Sequence, residues 1–365
     1  MSKTGFVPSP AKIKVIGLGG SGCNAITRMV REQIRGVEFI AMNTDAQHLE
    51  ITEASIRIQL GERLTRGLGA GGDHNIGRKA AEESRDEIRK VVSGADMVFV
   101  AAGMGGGTGT GSAPLVAEIA KQSGALTIAV VTKPFYFEGT HRSKVAEEGI
   151  GGLIGAVDTL IIIPNDRLLE LCDHKTSVDN AFRLADEALH QGVMAISEVI
   201  TVPGLINLDF ADIKAIMKDA GPAWMSIGRG TGQNRATDAA KQALASPLLD
   251  VSVEGARGVV FNVSGSDLTL FEVNAAAEVI KQAVDPEANV IFGVVLDPNM
   301  GQDVRLTLIA TGFATGETMA GMAREKEMTR LLKGLQEGEL DIPSFTRQRH
   351  VISGQFHRPA SPARN

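Results

Sequence analysis

Cysteine is almost absent: Cys23 and Cys172 are the only two in 365 residues. They allow one bridge at most and lack metal-ligand spacing, which excludes a disulfide framework and fits a reduced compartment. Aromatic residues are scarce, at 4%, with one Trp and one Tyr. No apolar run is long enough to cross a bilayer; strand-like runs such as Leu160 to Pro164 end quickly. Met1 to Pro10 has neither the apolar stretch of a secretion signal nor the Arg-rich pattern of a transit peptide. The expectation is therefore a cytoplasmic protein with no direct membrane insertion. Excess positive charge is missing too. The formal net charge is −6, and Thr346 to Asn365 holds four Arg and no acid, which leaves −10 on the rest of the chain. An acidic body argues against nucleic acid as a partner.

Glycine, by contrast, is plentiful, with 42 residues. The densest run is Gly103-Met104-Gly105-Gly106-Gly107-Thr108-Gly109-Thr110-Gly111, between a strand-like stretch (Met97 to Ala102) and a helix-like one (Ala113 to Lys121). Small residues there let backbone N–H groups crowd around an anion, and the helix adds its positive N-terminal end. A phosphate group is the natural ligand. Ser112 and Ala113 follow Gly111, so the Lys of a Walker A loop is missing and the loop is of another kind. An earlier loop, Gly17-Leu18-Gly19-Gly20-Ser21-Gly22, fits G-x-G-x-x-G, with Asp45 after the next strand. Alone, that is a dinucleotide fingerprint and would suggest an oxidoreductase. The second glycine loop shifts the balance away from that reading.

From Lys12 the chain alternates strands (13–17, 37–42, 56–60, 97–102, 126–131, 159–163) with helical segments (24–32, 76–92, 113–121). Alternation of this kind predicts a parallel sheet with helices on both faces. A long helix follows, from Ser177 as N-cap to the Pro203-Gly204 stop, apolar around much of its girth. A second domain then carries helices at 212–218, 235–245 and 270–284 and strands at 257–264, 289–296 and 304–312. The fold class expected is α/β: a Rossmann-like parallel-sheet domain, a long central helix, a second α/β (α+β) domain and a flexible C-terminal tail. The boundaries are 1–11 for an extension, 12–176 for the nucleotide-binding domain, 177–203 for the helix and 204–315 for the second domain. A linker (316–339), a short peptide (340–349) and a Pro/Ser/Arg-rich tail (350–365) follow.

Three further segments carry a resemblance: Asn43-Thr44-Asp45, Gly67-Leu68-Gly69-Ala70-Gly71-Gly72 and Asn207-Leu208-Asp209-Phe210-Ala211-Asp212. With the 103–111 loop, they resemble the motifs of the FtsZ branch of the tubulin/FtsZ family, bacterial cell-division GTPases, in order and spacing over about Lys12 to Gly312. The resemblance implies a GTP/GDP-binding, Mg²⁺-dependent GTPase that assembles head to tail at the mid-cell division site. It implies phosphate contacts from Gly20, Ser21 and Gly22, from Ala70, Gly71 and Gly72, and from Gly105, Gly106, Gly107, Thr108 and Gly109, with Gly19, Asn43, Asp45 and Gly103 also part of the nucleotide-binding site. Thr132, Pro134, Glu138 and Arg142 would lie along the sugar, and Asn24, Asn165, Phe182 and Asp186 around the base. Phe182 and Asp186 are four apart, hence on one helix face. Taken singly, a helical Phe is ordinarily core, a helical Asp a solvated surface residue and Asn165 a turn residue.

Asp209 and Asp212, three apart at a helix start, read locally as an N-cap and a dipole-facing acid. In the family, this loop with Asn207 completes the active site over the next subunit's γ-phosphate, and no residue is a dedicated metal ligand. Leu340 to Arg349 resembles the peptide through which FtsZ proteins bind membrane-tethering and regulatory partners, with Ile342 and Phe345 as anchors. Thr346 stands where the family pattern carries Leu.

Overall fold

The computed structural model describes residues 11–32, 34, 36–170, 176–201, 209–246 and 253–313. The expected extension, linker, peptide and tail lie outside these residues, as do Asn207 and Cys172. In chain order come β1 (Ile13–Leu18), α1 (Gly19–Arg31), β2 (Val37–Asn43), α2 (Ala46–Ile51), β3 (Ile56–Gln59), α3 (Glu62–Thr65), α4 (His74–Glu83) and α5 (Arg85–Val92). Next are β4 (Met97–Gly103), α6 (Thr108–Gln122), β5 (Leu126–Lys133), α7 (Thr140–Leu153), β6 (Thr159–Pro164), α8 (Asn165–Leu169) and α9 (Val178–Thr201). The remainder comprises α10 (Phe210–Met217), β7 (Gly221–Gly230), α11 (Arg235–Leu244), β8 (Gly258–Gly265), α12 (Leu270–Ala283), β9 (Asn289–Leu296) and β10 (Val304–Thr311).

The strands form one ten-stranded sheet in the order β3-β2-β1-β4-β5-β6-β7-β10-β8-β9. Every pair from β3 to β7 is parallel, and β10 runs antiparallel to both β7 and β8. Side chains alternate across it. Ile13, Val15, Phe39, Met97, Phe99, Ile128 and Val130 pack on one face with Ile26 and Met29 of α1, Leu189, Val193 and Ile196 of α9 and Ile213 of α10. Ile16, Leu18, Val98, Val100, Ala129 and Val131 pack on the other with Ala80, Ile88, Val116, Ile119, Ile150 and Leu153 of α4 to α7. Buried on both faces, these strands read as near-continuous Val/Ile/Leu runs.

Four local expectations are corrected. The helices after both glycine loops start earlier than predicted, at Gly19 and Thr108, so part of each loop is the helix's own first turn. The segment 76–92 is two helices: Ser84 breaks it, and its Oγ accepts from the Gly61 N–H at 3.0 Å. β7 was not anticipated because Gly221, Pro222, Gly228 and Gly230 interrupt its apolar run. α7 was hidden in the same way by Gly149, Gly151 and Gly152. No helix among the described residues is long and apolar enough to cross a membrane.

Candidate functional site

At the carboxyl ends of β1, β4, β5 and β6 lies a cleft of about 400 Å³. The first turns of α1 and α6 form its floor. The opening N–H groups of any helix have no partner within the helix, so Gly19, Gly20 and Ser21 of α1 and Thr108 and Gly109 of α6 bring their donors to one place. Gly19 holds φ +67, and a Cβ there would lie 2.9 Å from the Gly109 nitrogen, so the two turns meet this closely only because residue 19 is glycine. Gly105, at φ +98, turns the second loop, and its N–H donates to Thr110 Oγ1 at 2.9 Å.

Of the residues singled out in the sequence, Gly19, Gly20, Ser21, Asn24, Gly103, Gly106, Gly107, Thr108, Gly109, Thr132, Pro134, Glu138, Arg142, Asn165, Phe182 and Asp186 line this cleft. Leu18, Met104 and Ala185 line it as well and were not singled out, being ordinary apolar positions. Gly22 instead packs against β4, where a Cβ would meet the Ala101 carbonyl at 2.5 Å. Asn43 and Asp45 stand behind the cleft. Asp45 caps α2 by accepting from the His48 N–H at 3.1 Å, and Asn43 Oδ1 accepts from the Asp45 N–H at 3.3 Å. Between them, Thr44 shares a 2.6 Å hydrogen bond with the Thr108 hydroxyl, a link the motif alone did not disclose. Ala70 abuts Gly107, where a Cβ would come within 2.9 Å of the Ala70 Cβ, and Gly71 and Gly72 follow with open space beside them.

Two polar groups in the cleft lack what they need. Asn165 Oδ1, at the start of α8, is buried and accepts no hydrogen bond. Burial pushes the Asp186 carboxyl up to about 6, against the lowering pull of the Ser21 hydroxyl and Arg28. Ser21 Oγ donates to Asp186 at 3.3 Å, and no other hydrogen bond reaches that carboxylate among the described residues. Beside them Phe182 packs edge-on against Phe135 (5.5 Å) and Phe137 (6.1 Å) and stays 41% exposed. Glu138 accepts from the Phe135 N–H at 2.8 Å and from Arg142 at 2.6 Å, which holds this wall of the cleft.

The chain matches the family model for the GTPase domain of the tubulin/FtsZ family over residues 12–173 and that for the C-terminal domain of the FtsZ family over 221–314. It is 48% identical to an FtsZ from M. jannaschii solved as an empty dimer, with a TM-score of 0.81, covering 83% of this chain and 89% of that one. The chain belongs to the FtsZ branch of the tubulin/FtsZ family. A mutant FtsZ from the same organism gives the same identity and score, covering 92% of that chain. CetZ2 from Haloferax volcanii, solved as a GTPgS-bound protofilament, shares the fold at 18% identity, with a TM-score of 0.71 over 88% of this chain and 99% of that one. As an FtsZ-family member, the protein is a cytoskeletal GTPase of cell division.

In this FtsZ-type chain Asp209 and Asp212 are not among the residues that line the cleft. The α10 helix ends where Thr159 Oγ1 donates to the Met217 carbonyl, at the first residue of β6, whereas the cleft lies beyond the last. The strand separates the C-terminal end of α10 from the cleft by about 20 Å. Asp209 is the N-cap of α10, yet its side chain accepts no capping bond, and both carboxylates are exposed.

Proposed function

We propose that the cleft binds GTP and that a neighbouring subunit's α10 completes the site that hydrolyses it. The observation that carries this reading is the meeting of two helix N-termini with the desolvated Asp186 and the unpaired Asn165 Oδ1 in one cleft. Phosphates take the N–H groups of the α1 and α6 turns and the Thr108 hydroxyl. Thr132, Pro134, Glu138 and Arg142 follow the ribose. The base lies on Phe182 near Asn24 and Asn165. Asp186 accepts the N1–H and exocyclic amine that guanine presents, which relieves its desolvation. Gly71 and Gly72 close over the phosphates from the side of Gly107.

Among the described residues, no cluster of three metal-ligating side chains faces the cleft. Its polar hydroxyls instead suit a Mg²⁺ ion held chiefly through phosphate oxygens and water. When bound, that ion neutralises charge on the β- and γ-phosphates. The chain's own cleft supplies no free carboxylate to orient an attacking water, because Glu138 is engaged and Asp186 faces the base. Asp209 and Asp212, uncapped and exposed, supply that role when stacked on the next subunit's γ-phosphate, with Asn207 beside them. Water attacks the γ-phosphorus, the bond to the β–γ bridging oxygen breaks, and GDP and phosphate result. A contact between unlike surfaces at opposite ends of a subunit repeats without closing, so assembly produces a filament. Leu340 to Arg349 would tether such filaments, through adaptor proteins, at a mid-cell division site.

GTP turnover per subunit, measured with Mg²⁺ over a wide range of protein concentration, tests this. The expected rate is near zero below a threshold and rises above it. Asp212→Ala should keep GTP binding and lose turnover. A constant rate at every dilution, or full turnover by Asp212→Ala, overturns the shared site.

A further inference from the structure

One chemically loaded cluster takes no part in the cleft. Glu187 and His190 are three apart on α9 and so share a face, and Glu32, the C-cap of α1, meets them there. The His190 side chain is fully buried, while those of Glu187 and Glu32 remain 30% and 45% exposed. His190 Nε2 lies 3.1 Å from Glu32 Oε2, and Nδ1 lies 3.5 Å from Glu187 Oε1. Neither ring nitrogen makes a hydrogen bond. The oxygens are close but off the axes along which a ring N–H donates. A buried imidazole left in that state is costly, and such groups ordinarily have a partner.

We propose that Glu32, Glu187 and His190 bind one divalent first-row transition cation, with Zn²⁺ the best fit. One donor atom from each residue lies within 4.8 Å of the other two. Imidazole nitrogen with two carboxylate oxygens is a zinc donor set, whereas Mg²⁺ prefers oxygen alone. An ion on the nitrogen's axis pushes its other ligands to the side. With bonds of about 2.0–2.1 Å, tetrahedral ligands sit about 3.3 Å apart, close to the 3.1 Å between Nε2 and Glu32 Oε2. The Glu187 donor lies within 4.8 Å and closes on the ion by a side-chain rotation. Glu187 is already oriented from outside the site: Gln191 donates to Oε1 and Arg28 to Oε2, each at 2.6 Å. The exposed edges of Glu32 and Glu187 give an ion its entry path and room for water. Glu32 and Glu187 set two negative charges against the one positive charge of Arg28, an excess that a cation offsets. The ion would pin the end of α1 to the middle of α9, the two helices that Ser21 and Asp186 join at the cleft.

The test uses the full chain, stripped with a chelator, and zinc chloride as the probe. Equilibrium dialysis with metal analysis counts bound zinc, and a thermal melt reads its effect on stability. Wild type should bind zinc at micromolar free concentration, melt higher with it and ignore excess Mg²⁺. Glu32→Gln, at a partly exposed position, should lose one bound zinc per chain. Its affinity should fall by more than the roughly 10- to 100-fold that loss of an outer partner brings. His190→Gln should behave alike; if it fails to fold, Glu32→Gln decides. No zinc bound by wild type, or wild-type binding by Glu32→Gln, overturns the proposal.

Discussion

At the residue scale, the cleft keeps groups that are less comfortable empty than filled. Asp186 is the clearest, a carboxylate whose burial raises it to about 6 with one hydroxyl donor for company. Asp186→Ala should therefore weaken GTP binding by about 100-fold, the loss of charge-assisted hydrogen bonds, while the nucleotide-free protein melts no lower than wild type. Titration with a fluorescent guanine nucleotide and a thermal melt check the two halves. Glu272 shows the opposite behaviour. Arg235 beside it, with the Thr269 backbone and hydroxyl, holds its carboxyl down at about 2 against the effect of burial. Its folded value is below its unfolded one, so its contribution is present above about pH 4.3 and is lost as pH falls toward 2. Melting temperature should fall across that window, and Glu272→Gln should flatten the fall. An unchanged slope in the variant would remove Glu272 from the cause.

At the scale of elements, glycine serves contact as much as turning. A Cβ on Gly111 would lie 2.0 Å from the His74 carbonyl, and one on Gly77 would lie 2.2 Å from that of Gly107. The α4 and α6 helices thus touch backbone to backbone beside the phosphate loop. Gly111→Ala should cost about 1–3 kcal/mol, the usual penalty of overpacking, in urea unfolding. It should also weaken GTP binding by moving the α6 turn; wild-type stability would show that the helices separate freely. The same glycines explain what was legible in the sequence. Alternating β-branched runs announced β1, β4, β5 and β6, and Ser177 with Pro203 bracketed α9. Where glycine was spent on close packing, as in β7 and α7, the local pattern dissolved. Local spacing could place Phe182 on one face with Asp186, but not Thr44 against Thr108, because that hydrogen bond depends on how two loops meet in space.

At the scale of the molecule, β7 pairs with both β6 and β10, so the sheet runs unbroken from β3 to β9. One apolar layer also joins Leu189 of α9, Ile213 of α10, Val260 of β8 and Ile309 of β10. Trp224, the single tryptophan, sits in β7 at the join. Its fluorescence and far-ultraviolet circular dichroism should follow one superimposable urea transition. Two separated curves would mean that the sheet's halves unfold independently.

In the proposed assembly the cleft of one subunit meets α10 of the next, and that asymmetry gives each filament a direction. A row of stacked subunits leaves one cleft uncovered at one tip and one pair of carboxylates unused at the other. The uncovered cleft has no neighbour to complete it. Its nucleotide stays intact and open to exchange, while every nucleotide behind it is enclosed and ageing. In that assembly the two tips of a filament carry different chemical clocks.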